Sequence, residues 1–167
     1  MFYGTHIVNI DAKSRVSVPA LFRNHILAGA PEFNGIAVFP SLKAGDSAYM
    51  ACNPNYLTTL DTRIREADID PDEADAIAAA IFPFVEMLAF DNAGRISISQ
   101  TLKARLGVDK QIAFVGMGSD RFELWHPQTH EAQVAPEGVA RGSNAMSVLF
   151  DRKVKPKALQ QLSLIHI

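Results

Sequence analysis

The sequence predicts an α+β fold in which two copies of one small unit fuse into a single β-barrel with pseudo-twofold symmetry and flanking helices. Three observations lead there. One motif recurs 80 residues after its first appearance. Within each copy the apolar period changes from 2 to about 3.6 just after that motif. Neither copy is long enough to bury a core by itself.

The repeat runs from Asp11-Ala-Lys-Ser-Arg15-Val-Ser-Val18 to Asp91-Asn-Ala-Gly-Arg95-Ile-Ser-Ile98. Asp, Arg and Ser coincide, and both apolar positions pair Val with Ile. Further on, Ile36–Phe39 answers Ile112–Val115, and Tyr49–Pro54 answers Phe122–Pro127. The shift falls from 80 to 76 and then 73, so the first copy carries longer loops.

Each element follows from local chemistry. A short strand, 5–10 or 85–90, enters the motif. A strand with Val16 and Val18, or Ile96 and Ile98, on one face leaves it. Pro19 suits the first turn of a helix over 20–28 that Gly29 could end. Ser99 can cap a helix over 100–106, with Gly107 past its end. Two strands follow in each copy, joined by Ser41 to Ser47 in the first and by Gly116–Asp120 in the second. Helices are expected over 54–66 and 72–82, where Ile77, Ile81 and the alanines have helical spacing. A polar helix near 128–134 and a stretch around 145–162 complete the reading. The domains are a first repeat at 1–58, an acidic helical linker at 59–83, a second repeat at 84–130 and a C-terminal tail at 131–161.

Composition narrows the function. Hydrophobic residues make up 48% and charged residues 20%, a globular balance. No apolar run approaches the ~20 residues of a membrane helix, and Met1–Ile10 lacks the pattern of a signal peptide. Cys52 is the only cysteine, so no internal disulfide forms, and a reducing cytoplasm is expected. The net charge of −2 argues against a nucleic-acid partner at face value. The acidity is concentrated, however. Residues 61–75 hold seven acidic side chains against Arg63 and Arg65, which leaves the rest of the chain net positive.

The Asp-x-x-x-Arg segment is the candidate site. An Asp in a tight turn accepts backbone N–H groups a few residues on, so Asp11 and Asp91 order their loops. Gly94 supplies a permissive backbone, and Ser14 does so less easily. Arg15 and Arg95 then leave the turn opposite the apolar face. A guanidinium held there suits a phosphate or the O6/N7 edge of guanine, with Lys13, Arg23, Lys103 and Arg105 as further phosphate contacts. A plainer reading, in which Asp and Arg simply pair within each half, stays open.

These residues resemble the MraZ family, whose halves each resemble the AbrB-like (swapped-hairpin type) DNA-binding unit. The pattern is Asp-x-x-Gly-Arg, two apolar strand positions, Pro, then a helix. The first half meets it with Asp11, Arg15, Val16, Val18, Pro19, Phe22 and Arg23, with Ser14 for the Gly. The second half meets it with Asp91, Gly94, Arg95, Ile96, Ile98 and Leu102, with Ser99 for the Pro and Lys103 for the Arg. Arg121–Trp125 is similar to the family's last hairpin, and Met1–Gly4 to its start. The resemblance implies a non-enzymatic, sequence-specific transcriptional regulator of the division and cell-wall gene cluster. It further implies a nucleoid-associated, ring-like homo-oligomer on tandem repeats of double-stranded promoter DNA, with no cofactor, metal, membrane or small-molecule substrate.

Two other functions compete. One is a protein-interaction scaffold using the same rim. The other is an aspartic-type hydrolase built on Asp11 and Asp91, which lack the small hydroxyl residue and Gly that such a dyad needs next to each Asp. His126 and His130 read as surface histidines, since Pro127 disturbs a zinc-binding spacing. Gly116–Gly118 reads as a hairpin turn, because a strand follows it. Cys52 reads as a small buried side chain, Phe122 and Trp125 as core or subunit contact, and 61–75 as a solvated helix and turn. Leu162–Ile167 translates CTG TCT CTT ATA CAC ATC, which resembles a transposon-end sequencing adapter. Native coding sequence is therefore expected to break off near Gln161.

Overall fold

The computed structural model describes residues 1–43 and 47–150. Residues 151–161 of the expected tail, 162–167 and part of the 41–47 loop lie outside the described residues. The chain divides into two units, Met1–Pro127 and one from Gln128 onward.

In the first unit, β1 (Thr5–Asn9), β2 (Arg15–Ser17), α1 (Ala20–Ala28), β3 (Gly35–Pro40) and β4 (Tyr49–Cys52) follow the expected order. After α2 (Tyr56–Glu66) and α3 (Pro71–Ile81) come β5 (Glu86–Ala89), β6 (Arg95–Ser97), α4 (Gln100–Leu106), β7 (Gln111–Gly116) and β8 (Phe122–Trp125). The expected caps are present. The Ser99 hydroxyl accepts from Leu102 N at 3.1 Å and Gly107 ends α4 at φ 67°. At the end of α1, Gly29 has φ −78°, and Ala30 takes the positive value, 46°.

Six strands form one antiparallel sheet in the order β1-β7-β8-β4-β3-β5, and β2 pairs with β6 as a separate ribbon. The expected barrel is not closed. β1 and β5 end the sheet, because β2 and β6 turn back from them and pair with each other over one sheet face. That choice buries Val16, Val18, Ile96 and Ile98 in the main core with Phe22, Ile26, Leu102 and Leu106 of the two short helices. Across the sheet, Ala37, Phe39 and Cys52 meet Ile64 of α2 with Ala74 and Ile81 of α3. The alternation along β3, Ile36 and Val38 inward and Ala37 and Phe39 outward, is therefore buried on both sides.

The Gly116–Asp120 segment is a hairpin turn, and it holds the N-terminus. Phe2 N donates to Gly118 O at 2.7 Å, and Gly118 N returns a bond to Phe2 O at 2.9 Å. Phe2 thereby packs edge-on against Phe22, 5.3 Å between ring centres. Phe122, Trp125 and Cys52 are buried. The acidic segment is partly paired: Arg65 bridges Asp61 at 3.4 Å and Asp75 at 2.6 Å, which ties α2 to α3.

Helix α5 (Pro127–Thr129) leads into a π-helical stretch, His130–Val134, and then α6 (Ala135–Phe150). The helix expected near 128–134 thus continues to 150. Among the described residues no helix is long and apolar enough to cross a membrane, and no group of three or more His, Cys, Asp or Glu side chains is placed to hold a metal.

Candidate nucleic-acid interface

Each loop is organised by its Asp. Asp11 Oδ1 accepts from Lys13 N at 2.9 Å and Arg15 N at 2.8 Å, and Oδ2 accepts from Arg15 Nε at 2.8 Å. Asp91 repeats the arrangement with Ala93 N at 2.9 Å, Arg95 N at 2.9 Å and Arg95 Nε at 2.8 Å. The Arg15 amide is the main reason the Asp11 carboxyl sits below the usual carboxylate range, opposed by desolvation and aided by the Arg15 side chain. Asp91 is lowered in the same way by the Arg95 amide. The turns need a left-handed residue before each Arg, and Ser14 (φ 59°) and Gly94 (φ 73°) take that conformation.

The Asp–Arg pairing left open by the sequence is therefore present, and it does not consume the arginines. Only Nε is bonded. Neither Nη1 nor Nη2 of Arg15 or Arg95 has a hydrogen-bond partner among the described residues. The side chains keep 30% and 33% exposure, so both remain partly open to solvent. Two donors on a pinned side chain are what bidentate recognition requires.

The ribbon register decides where those forks stand. Val16 pairs with Ile96, Arg15 with Ser97, and Ser17 with Arg95. Directly opposed residues point to the same face, so Arg15, Ser17, Arg95 and Ser97 share the outer face while Val16 and Ile96 face the core. Diagonal neighbours of this kind have Cα atoms about 7–8 Å apart. The two arginines, 80 positions apart in sequence, are thus adjacent.

The accessory cations divide. Lys13 is exposed beside Arg15. Lys103 instead donates from Nζ to Ser14 Oγ at 3.1 Å. Arg23 lies against Gly94, where an added methyl group would overlap its guanidinium. Arg105 lies 6.0 Å over the Tyr49 ring. Sequence reasoning passed over Ser17 and Ser97, although Arg-x-Ser stands in both copies and alternation alone would have put Ser beside Arg. The two Asp carboxylates are each held within their own turn, and neither is the other's partner among the described residues.

Comparison with known proteins shows the family. A protein from Rickettsia canadensis named "Transcriptional regulator MraZ" is 35% identical over 131 residues, 78% of this chain and 85% of that protein. The chain belongs to the MraZ family. The Rickettsia akari protein of the same name matches equally well, at 35% identity over the same coverage. The Rickettsia bellii MraZ is 36% identical over 127 residues, 76% of this chain and 81% of its own length. The family described as "MraZ protein, putative antitoxin-like" matches residues 85–151, which includes Asp91, Gly94 and Arg95. The matched region holds the Asp91–Gly94 turn between β5 and β6, with Arg95 at the root of β6.

Proposed function

We propose that this chain is a sequence-specific DNA-binding transcriptional regulator that lays the β2–β6 ribbon into the major groove of promoter DNA. The observation that carries the reading is the pair of tethered guanidinium groups, Arg15 and Arg95, with free Nη ends on one ribbon face. A two-stranded ribbon fits the major groove, and an Arg fork matches guanine O6/N7. Lys13 supplies a phosphate contact, and Asp11, Asp91 and Gly94 hold the loops. The relatives, all named transcriptional regulators, favour this over a scaffold or a hydrolase.

The chain is read as a duplication, with repeats at 1–58 and 84–130 joined by the acidic linker 59–83. In support, the strand order reads the same from either end once β1 and β5, β3 and β7, and β4 and β8 are exchanged. The repeats interleave, since β1 pairs with β7 and β3 with β5. Such interleaving is what a swapped-hairpin unit calls for. One subunit offers few cations, so its binding is weak and salt-sensitive. A ring-like homo-oligomer on tandem repeats raises effective concentration without new contacts. The target that follows from the family is the promoter of the division and cell-wall gene cluster, read in the cytoplasm on the nucleoid.

The test is a gel shift of the wild-type chain on its own upstream DNA across a salt series. Retention that falls steeply with salt, beside weaker retention of scrambled DNA, is the expected result. Equal retention of both DNAs, or none at low salt, contradicts the proposal.

A further inference from the structure

We infer that Lys103 and Arg23 are positioning residues, each setting the arginine loop of the opposite half, rather than contacts to phosphate. The inference rests on the DNA-binding reading above and assigns these two cations a different part in it.

Lys103 stands on α4 of the second half, yet its ammonium reaches Ser14 in the first-half loop, 89 positions away. Ser14 is a non-glycine residue at φ 59°, a conformation that is unfavourable for L-residues and persists only when neighbours hold it. It is held twice from the other half. Lys103 donates to its hydroxyl, and Ile98 N donates to its carbonyl at 2.8 Å. The reciprocal site is built with different atoms. Val18 N donates to Gly94 O at 3.3 Å, and Arg23 on α1 covers the Gly94 backbone where a side chain would otherwise stand. Gly94 is buried under that cover.

The two solutions match their partners. A hydroxyl calls for a compact donor, which Lys supplies. A bare glycine backbone leaves room for a flat guanidinium, which Arg supplies. Each prop touches the residue immediately before an outward arginine, so its loss displaces the Arg15 or Arg95 fork of the other half. A fork shifted by about an ångström loses bidentate geometry while the protein stays folded.

A double-mutant cycle on the chain's upstream promoter DNA tests this, with Lys103→Gln, Ser14→Ala and the pair. Positioning predicts that each single change weakens binding on the order of tenfold, that the pair is no worse than either alone, and that the salt slope stays at its wild-type value. A fall in slope of about 0.9 in Lys103→Gln marks a phosphate contact and overturns the inference, as does unchanged affinity in Ser14→Ala. Hydrogen exchange at the Arg15 amide is read in parallel without DNA. Exchange roughly tenfold faster in Lys103→Gln supports the prop, and unchanged exchange overturns it. Failure of the wild-type chain to bind any promoter DNA sinks the proposed function alone, because the exchange measurement still decides this point.

Discussion

Val16 lies directly across from Ile96 at the centre of the β2–β6 ribbon, and this one pairing puts Arg15 and Arg95 on the same outer face. A one-residue slip of either strand turns that strand's arginine inward and its central apolar side chain outward. Burial of Val16 and Ile96, both 1% exposed, guards against that slip.

Truncation at this point is therefore costly. Ile96→Ala removes a fully buried side chain from the centre of the main core, and about 2–5 kcal/mol of stability is the expected loss. Urea denaturation measures it. A loss below about 1 kcal/mol shows that the ribbon is not anchored as described.

Gly94→Ala is destabilising for two separate reasons. The residue sits at φ 73°, and an added methyl group meets the Arg23 guanidinium. A drop in melting temperature is expected in wild type, with a smaller drop in an Arg23→Ala background. Equal drops in both backgrounds leave backbone strain as the single cause.

The loops also carry a pH signature. The Asp11 and Asp91 carboxyls lie below their ordinary value of 3.8, chiefly through the Arg15 and Arg95 amides. A carboxyl lowered on folding stabilises the folded loop above its unfolded pKa, and that contribution is lost as pH falls through the lower folded value. Loop order is expected to be full at pH 5 and to fade only below about 3.8. Carbon-13 titration of the two carboxyls reads it directly. Midpoints at or above 3.8 contradict the hydrogen-bond pattern.

Burial pushes the Cys52 thiol up to about 12, with Asp120 adding to the effect. Thiolate is the reactive form, so the folded protein should resist iodoacetamide at pH 8 and react promptly in denaturant. Rapid modification of the native chain implies that the α2–α3 cover opens.

Local features were legible in the sequence because local chemistry produces them. Ser99 and Gly107 announce the two ends of α4, and Asp11 and Asp91 announce their turns. Partner choice was not legible. β1 pairs with β7 across more than 100 positions, and nothing in Thr5–Asn9 names Gln111–Gly116 as its neighbour. The expected barrel failed on the same point, since closure depends on whether β2 and β6 join the sheet edges or each other. Lys103 reads as a free surface cation for the same reason, because its partner Ser14 lies in the other half.

Fluorescence anisotropy on upstream promoter DNA with Arg15→Ala, Arg95→Ala and the double variant tests most directly whether two equivalent forks on one face bind DNA. Each single variant is expected to keep its wild-type fold by circular dichroism and to bind at least roughly tenfold more weakly, the scale of one lost bidentate guanine contact, with specific binding absent in the double variant. Wild-type affinity in the double variant would place the DNA-binding surface elsewhere on the molecule.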